Sequence, residues 1–246
     1  MKIKIFEDTY SLAVQAATDL LSVIAKKPNA LICFASGDSP KLTCELFVQR
    51  VLEEKIDISR CSFIELDEWV GVSTEIKGSC HYDFMHRLAH PLHLSKDQYH
   101  LFNGLSRDLH EECDLMDDFI QARGGRIDIM IVGLGMNGHI GFNEPEVDID
   151  LKSHVILLDK TTIEVSKKYF DQPVTLTKGI TLGLSYLIEA IRVILIATGG
   201  KKAEVIKNTV EGPITTSFPA SIMQIHPEGY VFIDKEAGAL LKPANL

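Results

Sequence analysis

The chain has 246 residues, 46% hydrophobic and 24% charged, a globular composition long enough for one large α/β domain. A net charge of −9 argues against a nucleic-acid partner, because that affinity rests on lysine and arginine. No apolar run approaches the ~20 residues of a membrane span, the N-terminus lacks the apolar core of a signal peptide, and five widely spaced cysteines without a Cys-x-x-Cys pair read as free thiols in a reducing cytoplasm.

In chain order, Lys2–Phe6 alternates and predicts a short strand. Residues 10–25 place Leu12, Ala13, Ala16, Ala17, Leu20, Leu21 and Ile24 at helical spacing. Residues 30–35 form an apolar strand ending in Ser36-Gly37-Asp38-Ser39-Pro40, where Ser39 suits an N-cap and Pro40 a first helical residue, with a helix running to about Glu53. Residues 61–66 are a further strand, stopping at Asp67-Glu68-Trp69. Polar loop over 75–80 and helices over 82–92 and 108–122 follow. Residues 127–132 form a buried strand that empties into Gly133-Leu-Gly135-Met-Asn-Gly138-His139. A strand over 154–158, helices over 161–170 and 182–190, the strand Val193–Ala197, a helix to about Val210 and a strand over 230–233 complete the chain. Strands alternating with helices predict a single three-layer, Rossmann-like α/β domain over 1–246, its sheet mostly parallel and covered on both faces.

The carboxyl edge of such a sheet is where ligands bind. Four predicted strand ends carry chemistry: Ser36-Gly37, Asp67-Glu68, the loop from Gly133 to Glu144, and Gly199 to Lys202. Ser36, Gly37 and Ser39 at a helix start offer hydroxyl and N–H donors to an anion. Asp38 is tolerable there if only its backbone N–H faces the anion. Gly199, Gly200 and Lys202 repeat the scheme with an added point charge. A carboxylate at a strand end, as Asp67 or Glu68, is a candidate proton-abstracting base. His139 and Glu144 make a candidate acid/base pair. The histidines at 86 and 90 have metal-ligand spacing but no third ligand, so neither metal nor cofactor is expected.

Gly133-Leu-Gly135-Met-Asn-Gly138 is also a literal dinucleotide fingerprint, and Asp159 stands where such folds keep their ribose acid. The context excludes it. The third glycine should open a helix, and Pro145, with Gly141 before it, would break that helix at its second turn. Phosphate grips, a carboxylate base and a His/Glu pair fit proton abstraction next to a carbonyl of a sugar phosphate.

With these residues in view, the chain resembles the glucosamine-6-phosphate deaminase/isomerase family over nearly its whole length. The matching pieces are Ser36-Gly-Asp-Ser-Pro40, Leu66-Asp-Glu-Trp-Val-Gly71, Tyr82-Asp-Phe-Met-His-Arg87, Gly133-Leu-Gly-Met-Asn-Gly-His-Ile-Gly-Phe-Asn-Glu-Pro145, and Gly200-Lys-Lys-Ala203 with Val210-Glu-Gly212. Within the family, the stretch from Thr177 to Leu184 and the stretch from Ile214 to Ser221, ending Phe-Pro-Ala-Ser, look most like the galactosamine-6-phosphate isomerase branch. The resemblance implies a base at Asp67, a ring-opening histidine at His139 supported by Glu144, and phosphate contacts at Ser36, Gly37, Asp38, Ser39, Lys202 and Lys168. It implies a small amino-sugar-phosphate substrate, with a homo-oligomer as a further expectation. The expected reaction moves the C2 proton to C1 and releases ammonia, giving tagatose 6-phosphate from galactosamine 6-phosphate or fructose 6-phosphate from glucosamine 6-phosphate. 6-Phosphogluconolactonase shares the plan but not the Asn143-Glu-Pro tail, and a repressor's sensor domain would follow a DNA-binding segment.

Three departures from the glucosamine enzymes stand out. Asn137 replaces an aspartate beside the histidine, leaving Glu144 alone to supply negative charge. Lys168 replaces an arginine fork. The basic residues of an allosteric activator site have no match in 146–156.

Overall fold

The computed structural model describes residues 1–242. Among these residues ten strands occur in chain order: β1 Lys2–Phe6, β2 Leu31–Phe34, β3 Ser62–Glu65, β4 Asp67–Trp69, β5 Tyr99–His100, β6 Ile129–Gly133, β7 His154–Leu157, β8 Lys178–Thr181, β9 Val193–Ala197 and β10 Gly229–Asp234. The α-helices are α1 Thr9–Lys26, α2 Asp38–Glu53, α3 Cys80–Phe84, α4 Leu109–Gln121, α5 Lys160–Ser166, α6 Leu184–Glu189 and α7 Ala203–Glu211.

Seven strands form one sheet in the order β1-β10-β9-β6-β2-β3-β5, and every pairing in it is parallel. The period-2 alternation of side chains sorts the apolar strands onto two faces. Ile32, Phe34, Ile129, Ile131, Ile194 and Phe232 meet α1 and α2 on one face. Leu31, Cys33, Met130, Val132, Leu195 and Val231 meet α4, α6 and α7 on the other. Because both faces are covered, the central strands read as continuous apolar runs rather than alternating ones. The register of β2 against β6 is pinned by buried Asp128, which accepts from Leu31 N at 2.8 Å and from Lys27 Nζ at 2.9 Å.

Parallel strands put all their carboxyl ends on one edge. The chain runs outward from β2 through β3 to β5, then returns to β6 on the other side of β2. That reversal opens a crevice between the ends of β2 and β6, where Ser36 and the glycine loop lie.

Several expectations need correction. The stretch from Asp67 to Trp69 is not a terminus beside the main sheet. It is β4, and it pairs antiparallel with β8 in a separate three-stranded sheet of order β4-β8-β7. Leu66 is the joint: its N–H donates to Phe34 O in the large sheet at 3.1 Å, and its carbonyl accepts from Leu182 N at 2.9 Å. Residues 154–158 belong to this small sheet too, and β8 has no pattern strong enough to predict it. Ser39 is not the cap of α2. Gly37 takes that position at φ +95°, with no side-chain cap bond, and the helix begins at Asp38. By contrast, α1, α4 and α5 are capped by Asp8, Asp108 and Asp159. Residues 82–92 are not one helix: α3 passes into a single π-helical stretch, Met85–Ala89.

Candidate active site

The small sheet sets Asp67 at the mouth of the crevice. Its carboxyl is 8% exposed, and burial pushes it up to about 7, against the opposing pull of His139 and of a hydrogen bond from Cys80. Cys80 Sγ lies 3.7 Å from Oδ1, while Oδ2 has no hydrogen bond to any described residue. A carboxyl that is half ionised near neutral pH and has one free oxygen is suited to take a proton from carbon and return it.

Glu68, the neighbouring acid, points the other way. It accepts from Trp69 N at 2.6 Å, Cys80 N at 3.0 Å and His81 N at 2.8 Å, so it clamps the first turn of α3 to β4. Of the two acids open in the sequence, only Asp67 lines the cleft.

Opposite Asp67, the loop after β6 presents His139. Its Nδ1 lies 3.0 Å from Thr162 Oγ1 and 3.4 Å from Glu144 Oε2, leaving Nε2 without a protein partner among the described residues. Glu144 is buried behind the ring. Burial would raise its carboxyl, but hydrogen bonds with His139, Thr162 and Asn137 outweigh that and hold it below the usual range. Asn137 closes the unit by donating to Glu144 Oε2 at 2.8 Å and accepting from His139 N at 3.2 Å. Asn137 thus braces the pair from two sides, while Glu144 supplies the carboxylate beside the ring. Asn143 donates to Ile140 O and Leu182 O, both at 2.8 Å, and fastens the loop to the end of β8.

Two glycines of this loop have definite jobs. A Cβ on Gly135 would stand 2.3 Å from the His139 ring, so the imidazole can fold back only over a bare backbone. Gly138 has φ +84°, and a Cβ there would meet the Phe218 ring at 2.5 Å. No helix follows Gly138, and the dinucleotide cradle is absent, as Pro145 implied.

The fold brings together the residues expected to hold phosphate. Ser36, Gly37, Asp38, Ser39, Lys168 and Lys202 line one cleft of about 830 Å³ that also holds Asp67 and His139. The uncapped first turn of α2 faces it with orphan N–H groups. Burial, with Lys168 nearby, pushes Lys202 down to about 8, and its Nζ donates to Leu134 O. Asp38 does more than offer a backbone N–H: its carboxylate pairs with Lys168 Nζ at 2.7 Å. The glycines at 199 and 200 do not repeat the cradle. Gly199 N donates to Asp234 at 2.9 Å and Gly200 N to Glu236 at 3.2 Å, so these donors are already engaged. Glu144 and Asn137 are not among the residues that line the cleft.

Thr162 and Cys80 escaped the sequence reading. Each reaches the site from a separate helix, and neither sits in a motif that signals contact with His139 or Asp67. His86 stacks on Tyr82, with ring centroids 3.8 Å apart. Among the described residues no three His, Cys, Asp or Glu side chains converge on a possible metal position.

The family model described as glucosamine-6-phosphate isomerases/6-phosphogluconolactonase matches residues 7–232. A glucosamine-6-phosphate deaminase of Thermoanaerobacter pseudethanolicus is 36% identical, covering 100% of this chain and 97% of its own length. One from Halothermothrix orenii is 34% identical over 98% of this chain and 100% of its own. Among solved structures, a monomeric glucosamine-6-phosphate deaminase superposes with a TM-score of 0.93 at 29% identity, over 98% of this chain and 100% of that one. The 6-phosphogluconolactonase of Trypanosoma brucei shares the fold, with a TM-score of 0.79 at 17% identity over 98% of each chain.

Proposed function

We propose, from the premise that the chain belongs to the glucosamine-6-phosphate isomerase/6-phosphogluconolactonase family, that it deaminates and isomerises an amino-sugar 6-phosphate. The observation that carries this reading is Asp67: buried, pushed up to about 7, with one oxygen free, in a cleft shared with a Glu144-backed histidine and a lysine-lined helix start.

The phosphate lies against the first turn of α2, between Lys202 and Lys168. His139 moves the proton that opens the pyranose, with Glu144 stabilising its charged form. Asp67 takes the proton from C2 of the open-chain sugar while the substrate's amino group, bound as ammonium, gives a proton to O1, forming a cis-enolamine, and Asp67 then returns its proton to C1. The nitrogen is left as an iminium at C2. Water adds there and ammonia leaves, giving a ketohexose 6-phosphate. Substrate and water together thus supply every atom of the two products.

Glucosamine 6-phosphate is the substrate favoured by the names of the relatives, in place of the galacto sugar expected from the sequence. One observation keeps galactosamine 6-phosphate as a second reading. Phe218, in the segment that resembles the galacto branch, packs against Gly138, and Ala220 N donates to Gly138 O at 2.8 Å, so that segment touches the histidine loop directly. The test is a side-by-side assay of both amino sugars and of 6-phosphogluconolactone, following ammonia and lactone hydrolysis. Ammonia from the gluco sugar at higher kcat/KM supports the main reading, a preference for the galacto sugar supports the second, and lactone hydrolysis alone refutes both.

A further inference from the structure

Among the described residues the proposed base is held by a single donor, and that donor is a thiol. Asp67 and Cys80 come from different elements, β4 and the first residue of α3, and two contacts fix how they meet. Glu68 accepts the N–H groups of Cys80 and His81 at 3.0 and 2.8 Å, which sets the start of α3 against β4. Fully buried Ser79 caps the helix by accepting from Tyr82 N at 3.0 Å. Between these clamps the Cys80 side chain is directed at Asp67 Oδ1, 3.7 Å away. The Cys80 carbonyl in turn accepts from Ser36 Oγ at 3.4 Å, tying the same residue to the phosphate-side loop.

Cys80 is 5% exposed, and burial together with the carboxylates of Asp67, Glu68 and Glu65 pushes its thiol well above the ordinary range, so it stays S–H and can donate. Deepening the deaminase reading, on which it rests, we propose that Cys80 is a positioning residue: its thiol holds Asp67 Oδ1 and favours the carboxylate form, leaving Oδ2 to meet the substrate carbon. A hydrogen bond to the charged form of a carboxyl lowers its pKa. The other titratable groups facing Asp67 are Glu65 and Glu68 from β3 and β4, Cys33 from β2, and His139 from the loop after β6. Among them only His139 pulls the same way as the thiol.

The test compares wild type, Cys80→Ser and Cys80→Ala. The Asp67 carboxyl is titrated directly by carbon NMR of protein labelled at the aspartate side chain, with Asp67→Asn assigning the resonance, and the acid limb of kcat/KM is measured alongside. Losing the donor in Cys80→Ala should raise the Asp67 pKa by about half a unit to one unit, roughly 3–10-fold in proton affinity. Cys80→Ser keeps a donor and should stay at or below wild type, restoring kcat/KM at pH 6. A purely structural role would move both variants together. Equal Asp67 titration in all three proteins, or a parallel shift of Ser and Ala, overturns the proposal. The NMR titration needs no turnover, so an absence of ammonia release in wild type would refute the deaminase reading separately.

Discussion

At the residue scale the site depends on a carboxyl kept at odds with its surroundings. Asp67 is raised in the folded state, so the stability linked to its protonated form is present below about pH 4 and lost as pH rises through about 7. An isosteric amide removes that loss. Asp67→Asn should therefore be more stable than wild type at pH 8 by about 2–4 kcal/mol, with the gain fading toward pH 4. Urea unfolding at pH 4 and 8 measures it, and an unchanged or lowered stability at pH 8 contradicts the burial account. Asn137 works differently, by bracing Glu144 with a hydrogen bond to a charged group. Such bonds contribute about 1.5–3 kcal/mol. Asn137→Ala should thus lower kcat about tenfold or more and leave KM nearly unchanged, because the residue does not line the cleft. A rise in KM at constant kcat would instead place Asn137 on the substrate.

At the scale of elements, the glycine loop is where sequence and structure meet most directly. Gly135→Ala would drive a methyl group into the His139 ring. Overpacking of this kind costs about 1–3 kcal/mol, and a displacement of about 1 Å at a reacting group costs about 10²-fold in rate. Steady-state kinetics and urea unfolding of that variant check both, and wild-type kcat/KM would mean that His139 can move without consequence. The loop was legible because its signals are local: an apolar strand, glycines, and a proline that forbids a helix. The main strands were legible for the same reason, since burial on both faces leaves continuous apolar runs at β2, β6 and β9. The small sheet was not. β4 is three residues long and two of them are acids, while β8 begins with Lys178 and a glycine, so neither carries a strand pattern. Their pairing is set by tertiary contacts, Trp69 packing on Phe142 with centroids 4.4 Å apart beneath Phe170. Ser39 looked like a cap because Ser-Pro favours one, yet Gly37 at positive φ turns the chain earlier and leaves the helix start bare for a ligand.

For the whole molecule, the parallel sheet gathers its carboxyl strand ends on one edge, the small sheet brings Asp67 to that edge, and two groups there set opposite limits on pH. Asp67 must lose its proton, near pH 7, and Lys202 must keep its proton, near pH 8. kcat/KM should therefore rise through about pH 7 and fall above about pH 8, with KM carrying the alkaline limb, since the role proposed for Lys202 is to hold phosphate rather than the reacting carbon. An alkaline limb confined to kcat would displace Lys202 from that role. The surface over 146–156 carries Glu146, Asp148 and Asp150 against the one lysine, Lys152, which lies over the Tyr186 ring; this balance repels a phosphate, so adding N-acetylglucosamine 6-phosphate should leave the saturation curve unchanged. A leftward shift of that curve would reveal an activator site elsewhere. The proposed reaction and the role of Asp67 are tested together by a single assay: ammonia and ketohexose 6-phosphate released from an amino-sugar 6-phosphate by wild type and by Asp67→Asn. The expected result is a one-to-one yield of the two products from wild type and turnover lower by about 10²–10⁴-fold in the variant. No ammonia from wild type, or equal turnover in the variant, would contradict it.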